Sequence, residues 1–244
     1  MTPILQAPIL EAQNITKRFG GFTALDAVDF TIAPGERVGL IGPNGSGKST
    51  FVNCLSGALN PERGTILFQG ARINGLPAWQ RARRGLVRSF QIPRPFKKLS
   101  VVENVQVPLR FALATPPVEG SERRALAILE SIGLAAKADR SPRDLSQVEL
   151  RKLELGRALA ASPRLLIADE AMAGLSDSEV DEIVELLERL NHDGIAIILI
   201  EHIMRAVMRF SQRIVVLVAG RKIADGDPHE VMRHAEVERA YLGQ

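Results

Sequence analysis

The densest chemical signal in the sequence is Gly42-Pro43-Asn44-Gly45-Ser46-Gly47-Lys48-Ser49-Thr50. Its spacing, G-x-x-x-x-G-K-S, follows the apolar run Val38-Gly39-Leu40-Ile41 and precedes a helical pattern, Phe51-Val52-Asn53-Cys54-Leu55. Strand, glycine-rich loop and helix in that order form a phosphate cradle. Glycines let successive backbone N–H groups turn inward as an anion-binding nest. The helix start adds a partial positive charge of about half a unit. Lys48 is placed for the β- and γ-phosphates and the Ser49 hydroxyl for Mg²⁺, while Asn44, Ser46 and Thr50 complete the predicted contact set. The chemistry implied is binding of a nucleoside triphosphate.

Three further positions could act on such a ligand. Asp169 ends the apolar run Leu165-Leu166-Ile167-Ala168, and Glu170 follows it. An aspartate there suits Mg²⁺, and a neighbouring carboxylate at a strand end can turn to polarise an attacking water. Two acids after a strand equally suit a solvated turn. His202 follows the apolar residues 195–200 and Glu201, at the sheet edge where open parallel sheets bind ligands. A lone histidine is more commonly structural. Gln91 follows LVRSF; taken alone, it reads as a hydrogen-bonded surface group.

The elements that must hold these groups are legible in outline. Residues 9–41 read as short strands with a turn at Ala33-Pro34-Gly35, and 64–69 and 86–90 as further strands. The pattern turns helical from Ser100 to about Ala161. Ser100-x-x-Glu103 and Ser146-x-x-Glu149 open two helices as capping boxes, and residues 121–132 form another, closed by Gly133. Strands return at 165–168, 196–200, 213–218 and 221–224, with an amphipathic helix at about 178–191 and a short helix opened by Asp227-x-x-Glu230. Continuous apolar strands imply a sheet covered on both faces. The expected fold is α/β: a P-loop NTPase core over 1–91 and 162–244, with an N-terminal antiparallel β-subdomain and an inserted helical subdomain over 92–161.

Composition narrows the partners. A net charge of +3 on 244 residues implies no nucleic-acid or lipid partner by itself, and Arg81, Arg83, Arg84 and Arg88 read as a solvated face. One cysteine, Cys54, excludes an internal disulfide and suits a reducing compartment. No apolar run is long enough to span a bilayer, and the first ten residues lack the pattern of a secretory signal. Any membrane role is expected to run through a partner.

Together, the loop at 42–50, Gln91, LSQVE at 145–149, Asp169-Glu170, AGLSD at 173–177 and His202 resemble, in order and spacing, the ATP-binding subunit of ABC transporters over nearly the whole chain. Within that family NITKRFGGFTAL, RSFQIPRPF, AGLS, Glu201-His202 and AYLG resemble branched-chain amino acid importer subunits, with urea and amide importers sharing much of this. The resemblance implies ATP and Mg²⁺ as ligands and assigns roles by position. Phe19 would stack on adenine, Gln91 would sense Mg²⁺ and the γ-phosphate, Glu170 would be the catalytic base, and His202 would contact the γ-phosphate. Two such subunits would sandwich two ATP molecules, Ser146 of one serving the phosphate loop of the other. The partners implied are a second ATPase subunit, transmembrane permease subunits and, indirectly, a periplasmic binding protein. The chain is then expected in the cytoplasm, peripheral on the inner face of a bacterial plasma membrane.

The signature departs from that family's LSGGQ or LSYGQ. Val148 replaces a glycine and Glu149 the final glutamine, so bulk and negative charge are expected where the partner's phosphate must approach. Ala171 and Ser176 are milder departures. The chain keeps its own half-site and weakens what it donates, which favours a heterodimer with a subunit carrying an intact signature. The competing readings are a nucleotide-binding regulatory module with negligible turnover, an ABC protein acting on ribosomes or DNA, and an ATPase of the same fold for another substrate, such as urea, amides or an exported lipid.

Overall fold

The computed structural model describes residues 7–89, 93–112 and 120–242. The described part begins with a hairpin, β1 (Leu10–Phe19) and β2 (Phe22–Ile32), then β3 (Arg37–Ile41), α1 (Lys48–Ser56), β4 (Arg63–Phe68) and β5 (Ala71–Arg72). Helix α2 (Ala78–Arg83) leads to β6 (Leu86–Arg88), and α3 (Val101–Phe111), α4 (Ser121–Ser131) and α5 (Gln147–Leu159) follow. The chain returns through β7 (Leu165–Asp169), α6 (Asp177–His192), β8 (Ala196–Ile200), α7 (Met204–Phe210), β9 (Arg213–Val218) and β10 (Arg221–Gly226), and the described part ends with α8 (Pro228–Met232) and α9 (Ala235–Leu242).

Two sheets result. One is antiparallel, in the order β2-β1-β4-β5; the other runs β10-β9-β3-β8-β7-β6 and is parallel except for its β9–β10 edge pair. The parallel strands are buried on both faces, as their unbroken apolar runs predict. On β7, Leu165 and Ile167 join the cluster shared with the antiparallel sheet and α1, whereas Leu166 and Ala168 face the helical side. Residues of β8 alternate in the same way. Helix α1 is anchored between the sheets by Phe51, whose ring meets Phe30 edge-on at 5.6 Å. Helices α3, α4 and α5 pack on one another over the opposite face.

The two capping boxes at Ser100 and Ser146 form as the spacing predicts, with both reciprocal bonds present. The short helices α2 and α7 had no counterpart in the sequence reading. Six- and seven-residue helices carry little local signal, because nucleation is unfavourable and tertiary packing stabilises them. No helix among the described residues is long and apolar enough to cross a membrane.

One expectation fails outright. Arg81 does not belong to a solvated face: it is fully buried and donates to the carbonyls of Cys54 and Leu55, both at 2.7 Å, and of Leu76 at 2.9 Å. It satisfies carbonyl groups at the C-terminal end of α1 that have no helical partner. Arg81→Met should therefore destabilise the fold by about 2–4 kcal/mol, because buried acceptors lose a charged donor. Urea unfolding of the variant checks this, and a midpoint equal to wild type would refute it.

Candidate nucleotide-binding site

Burial of Val38, Leu40 and Ile41 seats β3 between β8 and β9, so its C-terminal end opens at the sheet edge. There Gly42 passes so close to Leu217 that a Cβ would lie 2.1 Å from its carbonyl oxygen. Gly47 begins α1 at φ +104°, and a Cβ on it would meet the Ala24 carbonyl at 2.7 Å. Any larger residue at either position would push the loop off its path. Helix α1 has no side-chain N-cap, which leaves its first-turn N–H groups for an anion.

Lys48 is buried and turned back over the loop, its Nζ donating to Gly42 O at 2.6 Å and Pro43 O at 3.0 Å. Burial lowers its pKa, while Glu170 and Asp169 pull it back up. These carboxylates keep an ammonium available in a partly desolvated place. The adjoining cleft, about 280 Å³, is lined by residues 44–50 together with Phe19, Phe22, Ala24, Glu170 and His202. Asn44, Gly45, Ser46, Ser49 and Thr50 thus meet at one opening. Phe19 is half exposed at its rim, consistent with a stacking face, and Lys17 Nζ lies 5.4 Å from its ring centroid. Phe22, its cross-strand partner, also lines the rim. The sequence reading missed it, although an aromatic pair flanking Gly20-Gly21 is the kind of signal that could have found it.

The acidic pair arrives from the end of β7, and His202 from the end of the neighbouring β8. Asp169 is buried, and its Oδ2 accepts from Arg88 Nη2 at 2.5 Å and Nε at 3.2 Å. Arg88 Nη1 donates to Asn53 Oδ1 on α1 at 2.6 Å. Arg88 is therefore held by Asp169 and α1, in contrast to the expected solvated face, and orients Asp169 against the loop helix, although neither side chain lines the cleft. Glu170 takes a left-handed backbone, φ +47°, with its N–H on Ile200 O at 2.9 Å and its Oε1 3.2 Å from His202 Nε2. Gln91 lies outside the described residues.

Glu201, beside His202, is almost fully buried and accepts from Met172 N at 2.8 Å. Burial raises its pKa to about 7, against N–H donors from Met172 and His202. Cys54 sits buried on α1, and burial raises its thiol to about 11, so it does no nucleophilic chemistry here.

Ser146 does not reach this cleft; it caps α5, accepting from Glu149 N at 3.4 Å. The expected bulk and charge at the signature are corrected in two respects. Val148 is buried in the helical core, so its side chain is turned inward rather than toward an approaching phosphate. Glu149 is paired with Lys137 at 2.6 Å and bonded to Ser146 N, so its charge is largely screened. Helix geometry decides the first point, since the second residue of α5 faces the bundle; the second needs Lys137 from a separate turn.

A second surface lies beside the helical layer. A groove of about 210 Å³ is lined by Phe96, Val107, Pro108, Ala112, Arg157 and neighbours. Phe96 is 45% exposed, and Arg157 stacks on it at 5.1 Å. Buried Asn104 accepts from Phe96 N at 2.7 Å and donates to Phe96 O at 3.1 Å, which fixes this loop.

The chain is similar to known proteins in both sequence and fold. Residues 25–173 match the family described as ABC transporter. The chain is 40% identical to the high-affinity branched-chain amino acid transport ATP-binding protein LivG of Escherichia coli strain K12, over 98% of this chain and 100% of that protein. It is 38% identical, with the same coverage, to the high-affinity branched-chain amino acid transport ATP-binding protein BraF of Pseudomonas aeruginosa. The crystal structure of an ATP-binding cassette of an ABC transporter in its ADP conformation superposes with a TM-score of 0.89 at 31% identity, over 98% of this chain and all of that one.

Proposed function

The chain belongs to the ABC transporter family, whose ATP-binding cassettes are ATPases, and from that premise we propose that it energises a bacterial importer of branched-chain amino acids or related small polar metabolites. Convergence of Lys48, Glu170 and His202 on one cleft carries the ATPase reading. The full-length similarity to LivG and BraF carries the substrate class.

In this reading the loop and α1 hold the polyphosphate, Phe19 stacks on adenine, and Ser49, Asp169 and Gln91 would hold Mg²⁺. The oxygen donors of Ser49 and Asp169 suit a hard cation. Mg²⁺ would neutralise charge on the phosphates. Glu170 takes the proton of the attacking water, and His202, held 3.2 Å away, orients it and faces the γ-phosphate. Residues 1–91 and 162–244 act as the nucleotide-binding core and 92–161 as an inserted subdomain that presents Ser146 to a partner's site.

The partners in this reading are transmembrane permease subunits, a second ATPase subunit and, indirectly, a periplasmic binding protein. The chain would sit peripherally on the inner face of the plasma membrane. A heterodimer remains favoured because Glu149 places a carboxylate, though a screened one, where the resemblance has an amide. The purified chain alone should be monomeric and weakly active, with robust turnover only in a complex recovered with its permease and a second ATPase. Cooperative hydrolysis by the isolated chain would defeat the heterodimer; no turnover in the assembled complex would favour the regulatory module.

The permease is expected to dock in the groove beside Phe96. The loop is pre-fixed by Asn104, so it loses little entropy on binding. Phe96→Asp removes the apolar ring from that contact and puts a carboxylate beside Arg157 in its place. Uptake in membrane vesicles should fall at least about tenfold, with nucleotide affinity unchanged. Normal uptake and assembly would locate docking elsewhere.

A further inference from the structure

Glu170 sits in a backbone conformation that non-glycine residues rarely adopt, φ +47°. Such a state is strained and persists only where its surroundings over-determine it. The turn that follows is short of internal restraint. Ala171 leaves φ free where a proline would fix it, and the turn's own bonds, Ala173 N to Glu170 O at 3.4 Å and Leu175 N to Met172 O at 3.2 Å, are long.

The restraint comes from two other elements. From the end of β8, the buried Glu201 carboxylate accepts the Met172 N–H at 2.8 Å and also bonds the His202 N–H. From α5, Arg151 Nη2 donates to Ala173 O at 3.0 Å, and Gln147 Nε2 to the same oxygen at 3.3 Å. Arg151 and Glu201 attract each other across this turn. A buried acid is costly unless it is hydrogen-bonded, and an apolar residue would pack there at less cost if packing were the only demand.

We propose that Glu201 is a positioning residue which, with Arg151, clamps the 171–174 turn so that Glu170 and His202 stay aligned over the phosphate cleft. Glu201 ties both halves of the pair at once: Met172 N–H lies two residues beyond Glu170, and the other N–H is that of His202 itself. Arg151 and Gln147 extend the clamp into α5, whose N-cap is Ser146. The position of the helical layer is thereby read at Glu170 within one chain. The proposal rests on the catalytic reading of Glu170 given above.

The test compares Glu201→Ala and Glu201→Gln in the transporter complex purified through a tag on this chain, with hydrogen exchange followed on the full chain. Glu201→Ala is expected to lower kcat by ~10–100-fold, the range for a displaced catalytic group, with KM for MgATP unchanged. Amide exchange should rise at 171–174 and His202 and stay unchanged in α1. Glu201→Gln keeps an oxygen for the Met172 N–H and should remain within about threefold of wild type, because a neutral hydrogen bond is retained. If Glu201→Ala does not fold, Arg151→Met should raise exchange at 173–174 by itself. Wild-type kcat in Glu201→Ala overturns the proposal, as does a loss of kcat without altered exchange in the turn, or equal loss in the Ala and Gln variants. If Glu170→Gln hydrolyses ATP at the wild-type rate, the catalytic reading fails instead, and exchange in the turn still decides whether the clamp exists.

Discussion

Lys48→Ala is expected to weaken ATP binding by about 100-fold or more while the chain stays folded. The ammonium is the one cation in residues 42–50, partly desolvated and held within 3.0 Å of the Gly42 and Pro43 carbonyls. When phosphate arrives, those weak acceptors are exchanged for charged oxygens, with little further desolvation to overcome. Hydrogen bonds to charged groups contribute about 1.5–3 kcal/mol each, so one or two of them account for the expected loss. The loop path itself is set by Gly42 and Gly47 against Leu217 and Ala24, and survives the substitution. Titration with a fluorescent ATP analogue, alongside a thermal melt, checks this. Wild-type affinity in a folded variant would remove Lys48 from the phosphate site.

Glu170→Gln should bind ATP at least as well as wild type and hydrolyse it about 10²–10⁴ times more slowly, the usual cost of losing a general base. The amide can still meet His202, so the 3.2 Å contact and the left-handed turn should remain. What disappears is proton affinity at one oxygen. A carboxylate that opposes the polyphosphate is also removed, so ATP-bound dimers should accumulate in the complex. Turnover equal to wild type would exclude Glu170 as the base.

Much of this site is written locally. Residues 42–50 are contiguous, and glycine conformational freedom plus one lysine suffices to specify a phosphate loop. Ser100 and Ser146 name their helix starts because the reciprocal partner lies three residues on. The unbroken apolar runs of β7 and β8 announce burial on both faces, and the resemblance in motif order anticipated the family.

What tertiary structure alone decided lies at contacts between residues far apart in sequence. Arginine reads as solvated because its charge is costly to bury, and only a partner overturns that. For Arg88 the partner is Asp169, 81 residues away; for Arg81 it is the carbonyl end of α1, 26 and 27 residues back. Val148 looked obstructive as a residue type, but the packing of α5 turned its side chain into the core. Glu201 read as a neighbour of His202, yet its acceptor role is set by Met172 across two strand ends. Local residue order specifies which groups could meet a phosphate. The crossing of strands and helices determined which buried charges hold those groups in place, since the cost of taking a charge out of water is offset only where the fold brings a partner to it.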